Sequence, residues 1–139
     1  MRRRLPRGVW NVTSQNLKNR FTLIAECLYP TDRVSATILL GEPSLKMREL
    51  WDLPNMPTLS SDNHWHLDML DYRVARAAGG TRALLFWLRT EADRHGIWIT
   101  VNVRPMHRYK DGPIARLLRE YGFQSSSLRD YRYMLRKPV

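Results

Sequence analysis

The chain has 139 residues, a formal net charge of +10 and a hydrophobic content of 43%. This length and composition predict one packed domain and exclude a disordered tail. Cys27 is the sole cysteine, which excludes an internal disulfide, and no apolar run approaches the roughly 20 residues that cross a bilayer. The basic start is not followed by the apolar core of a signal peptide, so a cytoplasmic location is the expectation.

The positive charge is unevenly distributed along the chain. Residues 1–20 carry six Lys or Arg and no acidic residue, whereas residues 21–72 carry three basic and eight acidic residues. Residues 73–139 carry fourteen basic and five acidic residues, a net charge of +9. Such an excess attracts polyanions of every kind, so nucleic acid, anionic lipid and phosphorylated small molecules are all candidate partners.

Residues 1–20 are predicted to form a basic arm, followed by a single domain over residues 21–139. In this domain, residues 21–29 and 34–40 are rich in apolar and β-branched side chains. The turn residues between these two segments favour a hairpin of two strands.

A short helix and a loop are predicted before the next strand. Pro43 fits the first turn of a helix that ends before Pro54, and residues 54–63 carry the prolines and polar residues typical of an exposed loop. Residues 64–72 alternate apolar and polar side chains, which predicts a strand. Its apolar side is predicted to consist of Trp65, Leu67 and Met69.

His64 and His66 would lie on the same face of this strand and could begin a zinc site. No cysteine and no regularly spaced third ligand accompanies them. Ordinary histidines, in the core or on the surface, are therefore the preferred interpretation.

The rest of the chain predicts alternating helices and strands. These elements are a helix over 81–95 ended by Gly96, a strand over 97–103, a helix from Pro113 ended by Gly122, and a strand over 131–136. The order predicts an α/β (α+β) fold with a mixed sheet flanked by helices. The strands on either side of the first of these helices are expected to be parallel.

The segment RAAGGT, Arg76 to Thr81, lies between a predicted strand and a predicted helix. A helix that begins there leaves its first N–H groups unpaired, and their dipoles favour an anion. The small residues leave the backbone open to a pyrophosphate, and Arg76 and Arg82 add positive charge. A turn that only satisfies backbone geometry is the alternative, because the segment is neither a GxGxxG motif nor a P-loop.

This segment and the helix after it (RALL, residues 82–85) resemble the R/Q-x-x-G-x-G/A signature and following helix of the GNAT superfamily of acyl-CoA-dependent N-acetyltransferases. The resemblance covers about residues 64–136. It continues through the strand 97–103 and the Tyr121-Gly122-Phe123 sequence at the end of the second helix.

The resemblance implies a single-domain GNAT-like fold whose mixed sheet is splayed open near the strand before the glycine turn. It implies that the pantetheine of acetyl-CoA (coenzyme A) lies along residues 66–72 and the pyrophosphate on the backbone amides of residues 77–81. The coenzyme-binding residues that it implies are Arg76, Ala77, Ala78, Gly79, Gly80 and Thr81.

Acyl transfer to an amine needs a base and commonly an acid near the departing thiolate. Where the family often has a Tyr and an Asn, this chain has Leu118 and Gly112. Other residues would have to act in their place. The candidates for these roles are Asp68, Asp71, Tyr109 and Tyr121.

The resemblance therefore predicts an N-acetyltransferase that uses acetyl-CoA and an unidentified amine acceptor. The alternative is a GNAT-like binding protein without catalysis, whose basic residues 1–20 and 104–137 contact a nucleic acid or a protein partner. Residues 104–110 and 129–137 interleave basic and aromatic side chains, a pattern able to bind phosphates and stack on bases. No metal site and no membrane contact is predicted.

Overall fold

The computed structural model of the chain describes residues 9–28, 31–41, 56–71, 78–103, 113–125 and 133–139. These residues form seven strands and two helices. The strands are β1 (Trp10–Leu17), β2 (Arg20–Leu28), β3 (Thr31–Leu40), β4 (His64–Leu70), β5 (Trp98–Asn102), β6 (Phe123–Ser125) and β7 (Tyr133–Arg136). The helices are α1 (Ala78–His95) and α2 (Pro113–Glu120). The helix predicted between Pro43 and Pro54 lies outside the described residues.

The seven strands form one sheet in the order β1-β2-β3-β4-β5-β7-β6. β4 and β5 are parallel, and every other neighbouring pair is antiparallel. α1 connects the two parallel strands, since a parallel pair needs a crossover rather than a tight turn. The predicted mixed sheet, and the parallel strands on either side of this helix, are thus confirmed.

The sheet begins earlier in the chain than the sequence predicts. Residues 1–20 are assigned to a basic arm, yet Trp10–Leu17 form the edge strand β1 and pair with β2 along their whole length. Only Trp10 and Val12 of β1 pack against the core, and most of the strand is exposed. An edge strand of this kind has little hydrophobic alternation by which it could be identified.

The main core lies between one face of the sheet and both helices. α1 contributes Leu84, Leu85, Leu88 and Ala92, and α2 contributes Ile114, Ala115, Leu117 and Leu118. A smaller cluster of Leu59, Trp98 and Leu135 lies on the opposite face, where the strand residues Trp98 and Leu135 alternate with core residues. In the described parts of the chain, no helix is long and apolar enough to span a membrane.

Both helices end near a glycine with a left-handed backbone, as predicted. Gly96, directly after α1, has φ of 67°, and Gly122, two residues after α2, has φ of 94°. Glycine takes this conformation without the steric penalty that a Cβ atom brings.

A β-bulge interrupts β4 at Asp68. In the pairing with β3, Thr37 lies opposite Met69 and Ile38 opposite Leu67, so Asp68 is the extra residue. The bulge reverses the alternation beyond this point. Leu70 therefore packs in the core, whereas Met69, predicted on the apolar side, is 58% exposed.

Candidate functional site

In the described residues, β4 and β5 pair only along the first part of β4. They pair from His64 and Trp98 as far as Leu67 and Val101. Beyond this point β4 continues on β3 through Leu70, but in the described residues it has no further partner on β5. We call the gap beside residues 68–70 the β4–β5 opening. Among the described residues, the β5-facing backbone of residues 68–70 has no partner strand, and an edge of this kind can pair with an extended ligand.

The amino terminus of α1 adjoins the carboxyl end of β4. Thr81, in the first turn of α1, is fully buried, and its Oγ1 donates a hydrogen bond of 2.8 Å to the Asp71 carbonyl oxygen. The first turn of α1 has no acidic side chain. The unpaired N–H groups and the dipole of this helix end therefore favour an anion.

The two glycines of α1 allow the helix to lie close to the sheet. A Cβ on Gly80 would lie 2.5 Å from Val34 Cγ2 and 2.7 Å from Trp10 Cζ3. A Cβ on Gly79 would lie 2.7 Å from Trp10 Nε1. Gly80 is buried and Gly79 remains exposed. Both glycines therefore have a packing role, and Gly79 also leaves the backbone open to solvent.

The carboxylate of Asp71 holds the end of β4 on β3. Its Oδ2 accepts hydrogen bonds from the backbone N of Ser35 at 3.0 Å and from Ser35 Oγ at 3.1 Å. The Asp71 backbone N in turn donates to the Ser35 carbonyl oxygen at 2.9 Å. This candidate base is thus part of a structural bridge, whereas Asp68 lies exposed in the bulge.

Tyr121 lies beside α1, just after the end of α2. The Arg89 guanidinium is 5.1 Å from the centre of its ring and 5.3 Å from that of Phe86, within cation–π distance. A groove of about 550 Å³ lies here, bordered by β1, α1 and Tyr121. Its lining includes Trp10, Gly79, Arg82, Phe86, Trp87 and Tyr121.

Four predicted site residues have no described side chain. Arg76, Ala77 and Tyr109 lie outside the described residues, and Ala78 is described only as the first residue of α1.

Comparisons with protein-family models, curated proteins and solved structures found no match to this chain.

The structure brings together three polar side chains, His64, Thr100 and His66, that the sequence did not assign to the candidate site. His64 and Thr100 are buried, and the Thr100 hydroxyl lies 2.6 Å from His64 Nε2 and 3.0 Å from His66 Nδ1. His64 Nδ1 lies 2.7 Å from the carbonyl oxygen of Gly41. The sequence signal is the His-x-His spacing, but the threonine that joins the rings is identified only once β4 and β5 are aligned.

Burial makes both histidines favour the neutral form. It lowers the pKa of His64 below its ordinary value, and the hydrogen bond to Gly41 offsets this only in part. Burial is also the largest cause that lowers the pKa of His66, and nearby His64 adds to the effect. The negative charge of Asp68 acts in the opposite direction on His66. No group of three or more potential metal ligands occurs among the described residues.

Proposed function

We propose that the chain is an acyl-CoA-dependent N-acetyltransferase of the GNAT type, which transfers an acetyl group from acetyl-CoA to an amine. The observation that carries this proposal is the β4–β5 opening, which ends beside the amino terminus of α1. The hydrogen bond from Thr81 to the Asp71 carbonyl joins the two features directly. The resemblance of the sequence to the GNAT superfamily also implies a mixed sheet that is splayed open beside the start of a helix.

The residues at the opening fit the chemistry of coenzyme A. The pantetheine arm carries amide groups, which can pair with the β5-facing backbone of residues 68–70 as a strand would. The pyrophosphate fits the start of α1, where the first turn has no acidic side chain and Gly79 is exposed. Arg82 lies one turn further along, where its guanidinium pairs with Glu120.

Acetyl-CoA, when bound, supplies an acyl group activated as a thioester. The chain would hold the pyrophosphate at α1 and align the pantetheine beside β4. Acyl transfer then requires a group that accepts the proton of the attacking amine. Asp71 is a poor candidate because its carboxylate already accepts two hydrogen bonds from Ser35.

Calorimetric titration with acetyl-CoA tests the coenzyme site. Gly79 is unsuitable for substitution, because a Cβ there would lie 2.7 Å from Trp10 Nε1 and disturb the packing of α1 on β1. Arg82→Gln is the better variant, with Arg94→Gln as its matched control. Arg82 lies near the start of α1 and Arg94 in its last turn, and each forms a surface ion pair, with Glu120 and Glu91 respectively.

We expect the native protein to bind acetyl-CoA and Arg82→Gln to bind it about two- to fivefold more weakly, the range of a surface charge near a helix end. Arg94→Gln should bind as the native protein does. Absence of heat from the native protein would refute the coenzyme site. Equal weakening in both variants would place the pyrophosphate away from the start of α1.

Mass spectrometry tests the transfer itself. The protein is incubated with acetyl-CoA and one of three amines: a peptide with a free α-amine, a lysine-containing peptide with a blocked amino terminus, or spermidine. We expect one class to gain an acetyl group with release of the thiol. Binding of acetyl-CoA without transfer to any of them would favour the non-catalytic alternative, which predicts instead an oligonucleotide affinity that falls as salt is raised.

A further inference from the structure

His64, Thr100 and His66 form a hydrogen-bonded chain on the face of the sheet opposite α1 and α2. Thr100 of β5 lies directly beside His66 of β4 in the parallel register, and its hydroxyl lies within hydrogen-bond distance of both rings. The carbonyl of Gly41 closes the chain at the far side of His64. Two imidazoles and one hydroxyl are therefore connected in a fixed order.

The hydrogen-bond partners of His64 and His66 determine which ring nitrogens carry protons. A carbonyl oxygen only accepts, so His64 carries its proton on Nδ1 and donates it to Gly41. His64 is buried and neutral, so its Nε2 has a lone pair and accepts the proton of the Thr100 hydroxyl. The Thr100 oxygen can then only accept from His66, which must carry its own proton on Nδ1.

The consequence is that neutral His66 has its lone pair on Nε2. The Nδ1 proton is held by Thr100, which also limits rotation of the ring. In the described parts of the chain, Nε2 makes no hydrogen bond. His66 is half-buried and lies one residue before the last β4–β5 pair, at the closed end of the β4–β5 opening.

We infer that His66 is the base of the proposed transfer reaction, and that Thr100 and His64 position it. This inference rests on the proposed function. His66 Nε2 accepts the proton that the amine nitrogen loses as its lone pair forms the C–N bond. The C–S bond of the thioester breaks with its electron pair on sulfur, and the imidazolium returns the proton to that thiolate.

The surroundings of His66 suit this role better than those of the two carboxylates. Its pKa is lowered by burial and by His64, and only Asp68 opposes this effect among the described residues. The ring is therefore neutral, and ready to accept a proton, near neutral pH. Asp68 is exposed in the bulge, and Asp71 is engaged by Ser35.

NMR of the ring nitrogens tests the proton positions without any substrate. Slightly above neutral pH, we expect His66 to carry its proton on Nδ1 and a lone pair on Nε2. Thr100→Val should abolish this fixed preference, because the acceptor of the Nδ1 proton is gone. A native His66 that carries its proton on Nε2 would overturn the inference.

Addition of acetyl-CoA tests whether His66 lies at the reacting atoms. We expect the His66 ring signals to move, whereas those of His95, which is exposed at the end of α1, should stay in place. If acetyl-CoA binds by calorimetry and the His66 signals do not move, the inference fails while the coenzyme site stands.

The transfer assay gives the final discrimination. His66→Gln should lower the rate of acetyl transfer about 10²- to 10⁴-fold and leave the calorimetric affinity for acetyl-CoA unchanged. His95→Gln, the matched control, should retain the native rate. Thr100→Val should lower the rate less than His66→Gln and alter its pH profile. A fully active His66→Gln variant would refute the role of His66 as the base and leave the proposed function standing. A native protein that does not bind acetyl-CoA would refute the proposed function as well.

Discussion

The two faces of the β4–β5 pair differ in side-chain chemistry, because one is apolar and the other carries buried polar groups beside Trp98. On one face Leu67, Ile99 and Val101 are fully buried in the core cluster that includes α1. On the other face His64 and Thr100 are as deeply buried and are joined by hydrogen bonds. The same two strands thus carry an apolar and a polar interior.

The difference matters because apolar burial and buried hydrogen bonds contribute differently to the protein. Apolar burial stabilises in proportion to the area removed from water and has little directional preference. A buried hydrogen bond contributes only about 1 kcal/mol net, but it fixes which atom holds a proton, and its loss leaves a buried group unsatisfied. The apolar face therefore supplies stability, and the polar face supplies defined proton positions beside the β4–β5 opening.

Among the described residues, the sheet face that packs on α1 and α2 has one buried charged side chain, and it predicts the largest effect. Arg136 of β7 is 3% exposed and donates two hydrogen bonds to the Asp93 carboxylate, at 2.7 and 3.0 Å. Its Nε donates to the Tyr121 carbonyl oxygen. Asp93→Asn should therefore lower the free energy of unfolding in urea by about 3–5 kcal/mol, because the buried guanidinium loses its countercharge.

The control for this prediction is Glu91→Gln on the same helix. Glu91 pairs with Arg94 and His95 at the surface, so its loss should cost less than about 1 kcal/mol. The hydrogen bonds from Arg136 lower the pKa of Asp93, so its contribution is present above the unfolded value of about 3.9 and is lost as pH falls below it. The two variants would contradict this account if they were equally destabilised.

A smaller effect is expected where α1 approaches the sheet. Gly80→Ala should lower the free energy of unfolding by about 1–3 kcal/mol, since the new methyl group overlaps Val34 and Trp10. In a Trp10→Ala background the same change should cost less, and a double-mutant cycle from urea unfolding measures the difference. An additive cycle would show that Trp10 is not what excludes a side chain at Gly80.

On the polar face, Thr100→Val should lower the free energy of unfolding by about 1–2 kcal/mol. The side chain keeps its shape, but His64 Nε2 loses its donor and stays buried. Thr90→Val is the matched control, because Thr90 donates to the Phe86 carbonyl at an exposed position of α1, and its change should stay within about 0.5 kcal/mol. Equal effects would remove the distinction between the buried and the exposed hydroxyl.

Helices and strands whose buried residues recur at a regular spacing can be predicted from the sequence. The strand over 97–103 and the stripe of α1 were predicted because apolar residues recur at the spacing of a strand or a helix. The edge strand β1 was not, since most of it is exposed. The bulge at Asp68 was also missed, and it reverses which of Met69 and Leu70 is buried.

The candidate site was predictable only in part, for a related reason. The glycine turn is a local pattern, so Gly79, Gly80 and Thr81 could be singled out from their order alone. The partner of His66 is 34 residues away, and the carboxylate of Asp71 is bound by Ser35, 36 residues away. Such pairs depend on strand register, which no local pattern of residue types specifies.

The smallest expected effect is a pH dependence of the free energy of unfolding that arises from the polar face and not from the apolar face. Burial lowers the pKa of His64 and of His66, so the folded state binds these protons less readily than the unfolded chain, whose histidines titrate near about 6.5. Stability from the neutral rings is fully present above that value and is lost as pH falls through it, by at most about 1.4 kcal/mol per pH unit for each ring.

Urea unfolding across this range should show a shallower slope of unfolding free energy against pH for His64→Gln than for the native protein. Leu88→Ala, on the apolar face, should lower the whole curve by about 2–5 kcal/mol without a change in slope. An unchanged slope in His64→Gln would mean that the polar face does not depend on a neutral His64.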